Sequence, residues 1–275
     1  MKLAFLISGR PRTFVFREQI EHFKKLKTTF PEADFFILLR LPEFKKDKIK
    51  KFKHGNPYIE HNVQTIQGLK NLEEQLDNLK PVYYHSFTNF QDTSPKECRY
   101  TVQWRMIDKL LKEAEKYSIQ NNFKYSYFIR YRFDWTDLNL HIDNEYISNL
   151  DTSYIYKNLK DCEDVLFILP ELLYQNWWKK NICEKLKIKE KKNDSLFKNC
   201  NIVKAINMSD GGLLRDYNLI SFWGDKKNLF NFDEYWKNFN LKEYHLLNEI
   251  YLNKEEYYKK INLIFNNNYN FYLEY

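Results

Sequence analysis

The chain has 275 residues, a hydrophobic content of 43% and an aromatic content of 18%. This length suffices for one large α/β domain or two small ones, and the apolar content can fill a sizeable core. The net charge of +7 is a modest excess, and no zinc, helix-turn-helix or RNP pattern accompanies the basic runs, so we expect no nucleic-acid partner. The four cysteines form no CxxC pair and are typical of reduced thiols in a cytosolic chain.

The sequence also argues against a membrane-spanning protein. No apolar run reaches the roughly 20 residues that cross a bilayer, and KLAFLIS at the amino end is too short for a signal peptide. We therefore expect a soluble, cytoplasmic protein. Peripheral contact with an anionic membrane surface is the one membrane role that the basic runs leave open.

Strand and helix patterns alternate in the amino-terminal half. Near-continuous apolar runs predict buried strands, and apolar residues at helical spacing predict the helices between them. The predicted strands cover 3–7, 34–41, 82–87 and 125–132, and the predicted helices cover 16–30, 71–79 and 101–118. This order implies parallel βαβ units.

The patterns are looser in the carboxyl-terminal half. They predict strands over 153–157 and 164–170, helices over 172–182, 232–239 and 243–255, and a terminal strand over 262–275. We therefore expect a single α/β domain in which a Rossmann-type mixed sheet is flanked by helices.

The segment ISGRPRTF, at the end of the first predicted strand, is the first candidate site. Open α/β sheets bind ligands at the carboxyl ends of their strands. Ser8 and Gly9 allow close backbone approach, and Arg10 and Arg12 offer donors to a phosphate beside the following helix. The P-loop pattern GxxxxGK is absent. A tight turn with two solvated arginines explains the segment equally well.

The segment YSYFIRYRFDW places Arg130, Arg132 and Asp134 at alternate positions where a predicted strand ends. Alternate side chains of an extended chain leave the same face. A carboxylate at such a place can hold a divalent cation on a diphosphate, and adjacent arginines can neutralise phosphate charge. An internal salt-bridge cluster is the structural alternative. We favour a binding site, because two arginines exceed what one ion pair requires.

The segment SDGGLLRD contains Gly211 and Gly212, two of the six glycines in the chain. A Gly-Gly pair indicates a place where the backbone bends or is approached closely. Asp210 and Asp216 flank the pair, and either could act as a base or as a second metal ligand. A simple turn at Asp210 and Gly211 is the structural alternative.

Five segments together carry a family resemblance: LAFLISGRPRTF, VQWRMIDKLLKEAEKY, YSYFIRYRFDW, GGLLRDYNLISF and HLLNEIYLNKE. In this order they resemble small bacterial, viral and plant glycosyltransferase-like proteins, including the WavE-type lipopolysaccharide-synthesis proteins. The resemblance implies a single GT-A-like domain, with a nucleotide-sugar-binding half over 1–135 and an acceptor-side half over 136–275. It also implies transfer of a sugar from a nucleotide-sugar donor to a glycan or glycolipid acceptor in polysaccharide biosynthesis.

The resemblance also assigns roles to residues. It puts Asp134 on a Mn2+ or Mg2+ ion bound to the donor, and either Asp216 or Asp210 could take the proton of the acceptor hydroxyl in an inverting reaction. The expected nucleotide-sugar-binding residues are Ser8, Gly9, Arg10, Arg12, Arg130, Arg132, Gly211, Gly212 and Glu249.

The chain departs from the family pattern at one important place. RYRFDW has a single acidic residue where the family has an Asp-x-Asp motif, which puts the need for a metal in question. Two alternatives therefore stay open: a sulfotransferase-like enzyme that uses a nucleotide donor, and a non-catalytic nucleotide- or carbohydrate-binding protein. No histidine or lysine loop lies beside the first turn to support the sulfotransferase.

Overall fold

The computed structural model describes residues 1–11, 14–15, 17–41, 62–88, 99–132, 142–158, 166–182, 197, 200–206 and 252–265. The predicted helix at 232–239, most of that at 243–255 and the whole of SDGGLLRD lie outside these residues.

The described strands form one seven-stranded sheet. Their bounds are β1 Leu3–Gly9, β2 Asp34–Leu41, β3 Tyr83–Thr88, β4 Tyr127–Tyr131, β5 Ile155–Asn158, β6 Leu166–Pro170 and β7 Val203–Ile206. They lie in the order β3-β2-β1-β4-β6-β5-β7. The first four of these are mutually parallel, β6 is antiparallel to both β4 and β5, and β7 is parallel to β5. The predicted α/β class, the parallel βαβ units and the mixed second half are confirmed.

Helices cover both faces of this sheet. Besides the helices, the structure has a short 3-10 turn, Asn62–Gln64, and a π-helical turn, Tyr174–Trp178. The helices are α1 Arg17–Thr29, α2 Ile66–Leu79, α3 Arg99–Gln120, α4 Asn144–Ser148, α5 Glu171–Leu173 and α6 Lys254–Phe265.

The alternation of side chains along β1 divides the core into two layers. Phe5 and Ile7 pack in the layer that contains residues of α1, α2 and α6. Ala4 and Leu6 pack in the layer that contains residues of α3 and of the π-helical turn. Because both faces are covered, nearly every position of β1 must be apolar. Burial of both faces therefore explains the continuous apolar run from which this strand was predicted.

The predicted terminal strand is wrong in its first residues, because 262–265 belong to α6. Tyr257, Ile261 and Phe265 are spaced four apart and bury one face of this helix. Asn253 and Glu256 close its amino end reciprocally, since each side chain accepts a hydrogen bond from the other's backbone N–H. This N-x-x-E capping pattern was the sequence signal for a helix start. Residues 266–275 lie outside the described part.

Polar contacts hold the strands together at their amino ends. Tyr125, just before β4, donates a hydrogen bond from its hydroxyl to Asp34 Oδ2 at 2.6 Å. Lys2, just before β1, bonds to Asp34 Oδ1 at 3.1 Å. Burial raises the pKa of the Tyr125 phenol, and the Asp34 carboxylate raises it further. One carboxylate at the start of β2 therefore fixes the start of its neighbour β1 and, across β1, the start of β4.

We expect Tyr125→Phe to lower the free energy of unfolding by about 1 kcal/mol at pH 8, because one hydrogen bond is lost. Above pH of about 10 the phenol ionises first in the unfolded chain, where its pKa is the lower, so wild-type stability falls as pH rises. The variant has no phenol to ionise at this position, so its free energy of unfolding should fall less steeply as pH rises. Urea unfolding between pH 8 and 11 measures both effects.

The control for this experiment is Tyr84→Phe, since Tyr84 is 41% exposed and a phenylalanine there keeps the ring contact with Phe265. Its stability curve should run parallel to that of the wild type. A Tyr125→Phe curve that also runs parallel to the wild type would contradict the role given to the Asp34 contact.

Candidate functional site

The strand order reverses direction at β1, and the two neighbours of this strand separate from it at different points. Pairing of β1 with β2 continues to Gly9 and Leu39. Pairing of β1 with β4 ends at Leu6 and Arg130. The carboxyl ends of β1 and β4 therefore diverge, and this kind of fork is where open α/β sheets bind ligands.

Arg130 fills the base of the fork. Its side chain is fully buried. Nη2 donates a hydrogen bond to the carbonyl oxygen of Ser8 at 2.8 Å, and Nη1 donates to the carbonyl oxygens of Leu6 at 3.1 Å and Tyr131 at 3.2 Å. The guanidinium thus bonds to β1 carbonyls at the last strand pair, Leu6, and beyond it, Ser8. These bonds offset part of the cost of burying the charge.

Ser8 and Gly9 are the last two residues of β1, and the Ser8 carbonyl oxygen accepts a hydrogen bond from Arg130. Ser8 is fully buried, and its hydroxyl oxygen has no hydrogen-bond partner among the described residues. Gly9 has a φ of 136°, a conformation that a residue with a Cβ adopts only with strain. The chain therefore leaves the sheet at Gly9, which is partly exposed and has no side chain.

The other face of the fork carries a polar cluster that the sequence analysis missed. His22 of α1 contacts Tyr131, the last residue of β4, through a hydrogen bond of 2.5 Å between Nε2 and the hydroxyl. Their rings stack with centroids 5.6 Å apart. Gln19 lies one turn earlier in α1 and is fully buried. The signal was available, because Gln19 and His22 share the helical spacing of the core residues Phe23 and Leu26.

A second buried arginine lies on α3. Arg105 is 5% exposed and belongs to the amino-terminal half of this helix. In a βαβ unit the helix returns antiparallel to its strands, so the amino end of α3 is at the carboxyl edge of the sheet. Arg105 therefore lies in the half of α3 nearer the edge that carries Arg130. The sequence analysis did not propose this residue.

The structure brings some of the predicted site residues to one edge. Arg10 follows β1 and Arg132 follows β4, and both side chains are partly exposed at the carboxyl ends of these paired parallel strands. Their binding roles stay predictions. The remaining predicted residues lie outside the described part of the chain: Arg12, Asp134, Asp210, Gly211, Gly212, Asp216 and Glu249.

The described residues contain no group of three or more His, Cys, Asp or Glu side chains that could hold a metal ion. The predicted metal ligand, Asp134, is not among them. In the same part of the chain, none of the helices has the length and apolar character needed to span a membrane.

Comparison with known proteins gives little beyond the geometry. The chain matches no protein-family model, and a search of curated proteins found no significant match. A solved structure, the glycosyltransferase GlyE of Streptococcus pneumoniae TIGR4, aligns over 96% of this chain with 13% identity and a TM-score of 0.37. The present chain spans 62% of the length of that protein. A similarity this low carries no argument about fold or function.

We expect Arg130→Met to destabilise the protein by about 1–3 kcal/mol, because buried carbonyl groups of β1 lose their donor. Arg130→Lys should recover part of this loss, since an ammonium restores a charge and some donors but cannot match the guanidinium fork. Urea unfolding of both variants measures the difference. Wild-type stability in Arg130→Met would show that the fork does not depend on this residue.

Proposed function

We propose that this protein is a glycosyltransferase of the GT-A type that uses a nucleotide-sugar donor and a glycan or lipid-linked acceptor. The observation that carries the proposal is the fork between β1 and β4, with Gly9 at its rim and the buried Arg130 at its base. The family resemblance of the segments that form this fork supports the same function. Both point to a site for a nucleoside diphosphate at this edge.

Positive charge is the main feature that suits the fork to a diphosphate. Arg10 and Arg132 can donate to phosphate oxygens from the two strand ends, and Arg12 would join them. The N–H groups at the amino end of α1 add further donors. Arg130 is buried, so water screens its charge less than that of the exposed arginines. Fixed charges of this kind stabilise a leaving group as negative charge develops on it.

The transfer step itself requires a base. The acceptor oxygen attacks the anomeric carbon, the bond from this carbon to the diphosphate oxygen breaks, and the hydroxyl proton moves to a carboxylate. We assign this role to one of the two aspartates of SDGGLLRD, Asp216 or Asp210. Gly211, Gly212 and Glu249 would complete the donor site on this side.

Asp134 would hold a divalent cation, which supplies charge neutralisation at the diphosphate when it is bound. The arginines at the fork could provide the same neutralisation without a metal. The two versions of the mechanism differ in their dependence on added Mn2+ or Mg2+.

We expect Arg10→Ala and Arg12→Ala each to weaken binding of the donor nucleotide by about 1.5–3 kcal/mol, the range for a hydrogen bond to a charged group. Isothermal titration calorimetry with UDP-, GDP- and CMP-sugars measures this. Lys124→Ala is the matched control, since it removes an exposed cation that lies just before β4, at the opposite edge of the sheet. Unchanged affinity in both arginine variants would remove them from the site.

We expect Asp134→Asn to abolish nearly all transfer while the protein stays folded, because asparagine keeps the shape but loses the charge that a hard cation requires. Donor turnover is measured in EDTA and with added Mn2+ or Mg2+, for the wild type and the variant. Full wild-type turnover in EDTA would rule out the metal and leave neutralisation to the arginines.

The same assays separate the two alternative functions. A sulfate-donor nucleotide that stabilises the protein in a thermal-shift panel, when nucleotide sugars do not, would indicate a sulfotransferase. Binding of a nucleotide sugar without donor hydrolysis, with or without an acceptor, would indicate a non-catalytic binding protein.

A further inference from the structure

The side chain of Gln19 is enclosed in the protein. The residue is fully buried, and neither its amide oxygen nor its amide nitrogen has a hydrogen-bond partner among the described residues. Such atoms cost folding free energy, because they lose their bonds to water and gain none in return. A leucine or methionine of similar size would avoid this cost. The amide at this position therefore requires a further explanation.

The position of Gln19 links it to the fork between β1 and β4. Helix α1 follows β1 and returns along the sheet, so its amino end adjoins the carboxyl ends of the strands. His22 bonds to Tyr131 at the very end of β4. Three residues of helix rise about 4.5 Å, which places Gln19 about one turn nearer the edge than this contact. Side chains also lean towards the amino end of a helix.

Other groups at the same edge have room or bonding capacity for a ligand. Gly9 leaves open the space that a side chain would fill. On the opposite face of β1, the buried hydroxyl of Ser8 also lacks a hydrogen-bond partner among the described residues. Ser8 and Gln19 therefore flank the fork from its two sides with unused hydrogen-bonding capacity.

The chemistry of an amide restricts what Gln19 can bind. An amide presents an acceptor and a donor side by side in one plane. A diphosphate offers acceptors only and would leave the amide oxygen unpaired. The edge of a nucleobase presents an adjacent donor and acceptor in one plane, which matches both atoms.

We propose that Gln19 binds the base of the donor nucleotide and determines which base the site accepts. This assignment rests on the nucleotide site proposed above. Because Gln19 is closed to solvent, the side chains around it must move apart when a base enters. Pairing of the two amide atoms contributes binding free energy that favours the opened arrangement.

The test compares four nucleoside diphosphates with a probe that lacks a base. Binding of UDP, GDP, CDP, ADP and pyrophosphate is measured by calorimetry for the wild type, Gln19→Leu and Gln19→Met. Both substitutions remove the amide and keep a buried side chain of similar size. We expect the dissociation constant of the preferred nucleotide to rise about 10- to 100-fold. The pyrophosphate constant and the melting temperature should not worsen, and the preference among bases should disappear.

Gln75→Leu is the matched control. Gln75 is also a fully buried glutamine whose amide oxygen has no hydrogen-bond partner among the described residues, but its amide nitrogen bonds to the carbonyl oxygen of Phe14 at 3.3 Å. Its loss should lower the melting temperature and leave the preference among bases unchanged. Gln19→Leu should therefore lose the preference among bases and keep its melting temperature, whereas Gln75→Leu should keep the preference and have a lower melting temperature.

Three outcomes would overturn the assignment. The first is that Gln19→Leu keeps the base preference, and the second is that the wild type binds all four nucleotides equally. In both cases the amide binds no base and holds a buried water instead, while the nucleotide site itself would stand. If the wild type binds none of the five probes, the nucleotide site and the role of Gln19 both fail.

Discussion

The separation of β1 from β4 is the feature on which the rest of the site depends. The Arg130 guanidinium stabilises it by donating hydrogen bonds to backbone carbonyl groups where the strands part. Where two parallel strands part, the carbonyl groups on their facing edges lose the partners that a sheet supplies. Arg130 donates to Ser8 and Leu6 on one strand and to Tyr131 on the other, from a fully buried position. The fork can therefore lie inside the protein without leaving these carbonyls unpaired.

Arg130 also links the fold of this edge to its electrostatics. An apolar residue there would leave carbonyl groups without donors, and a solvated lysine or arginine would leave its charge screened by water. A buried guanidinium avoids both consequences, because it satisfies the backbone and keeps a fixed positive charge below the rim of the fork. Arg105 lies in the half of α3 nearer the same edge. We infer that the protein concentrates positive charge where the diphosphate of a donor would lie.

Polar side chains near the two ends of the sheet include both paired and unpaired groups, and the Asn78 amide nitrogen near the amino ends is one of the unpaired ones among the described residues. At the amino ends, Asp34 receives hydrogen bonds from Tyr125 and Lys2, and those contacts fix the strands. At the carboxyl ends, Ser8 Oγ and both amide atoms of Gln19 have no hydrogen-bond partner in the described part of the chain. Unused hydrogen-bonding capacity in a buried place lowers stability, and it is expected where a ligand completes the structure.

Periodicity in the sequence predicted the elements, and their order predicted the parallel half of the sheet. β2 was predicted at its observed bounds, Asp34–Leu41, since a strand covered on both faces is a continuous apolar run. The last four residues of α6 were mistaken for part of a strand, because the core residues of this helix are interspersed with lysines and asparagines and the capping pattern at Asn253 was overlooked. β7 was not predicted.

The candidate site was predicted in part. Strand ends carrying Ser8, Gly9 and Arg130 could be recognised from residue type and alternation. The bonds of Arg130 to backbone carbonyls could not, because they depend on where two strands part, which no local pattern encodes. Gln19 was missed because a polar residue within an amphipathic helix is normally assigned to the solvent face.

A crystal structure with a bound nucleoside diphosphate would test the central claim most directly. We expect the diphosphate to lie at the carboxyl ends of β1 and β4, within hydrogen-bonding distance of the Gly9 backbone and of Arg10 or Arg132. A nucleotide bound at the amino ends of the strands, near Asp34 and Tyr125, or beside β7 at the far edge of the sheet, would contradict it.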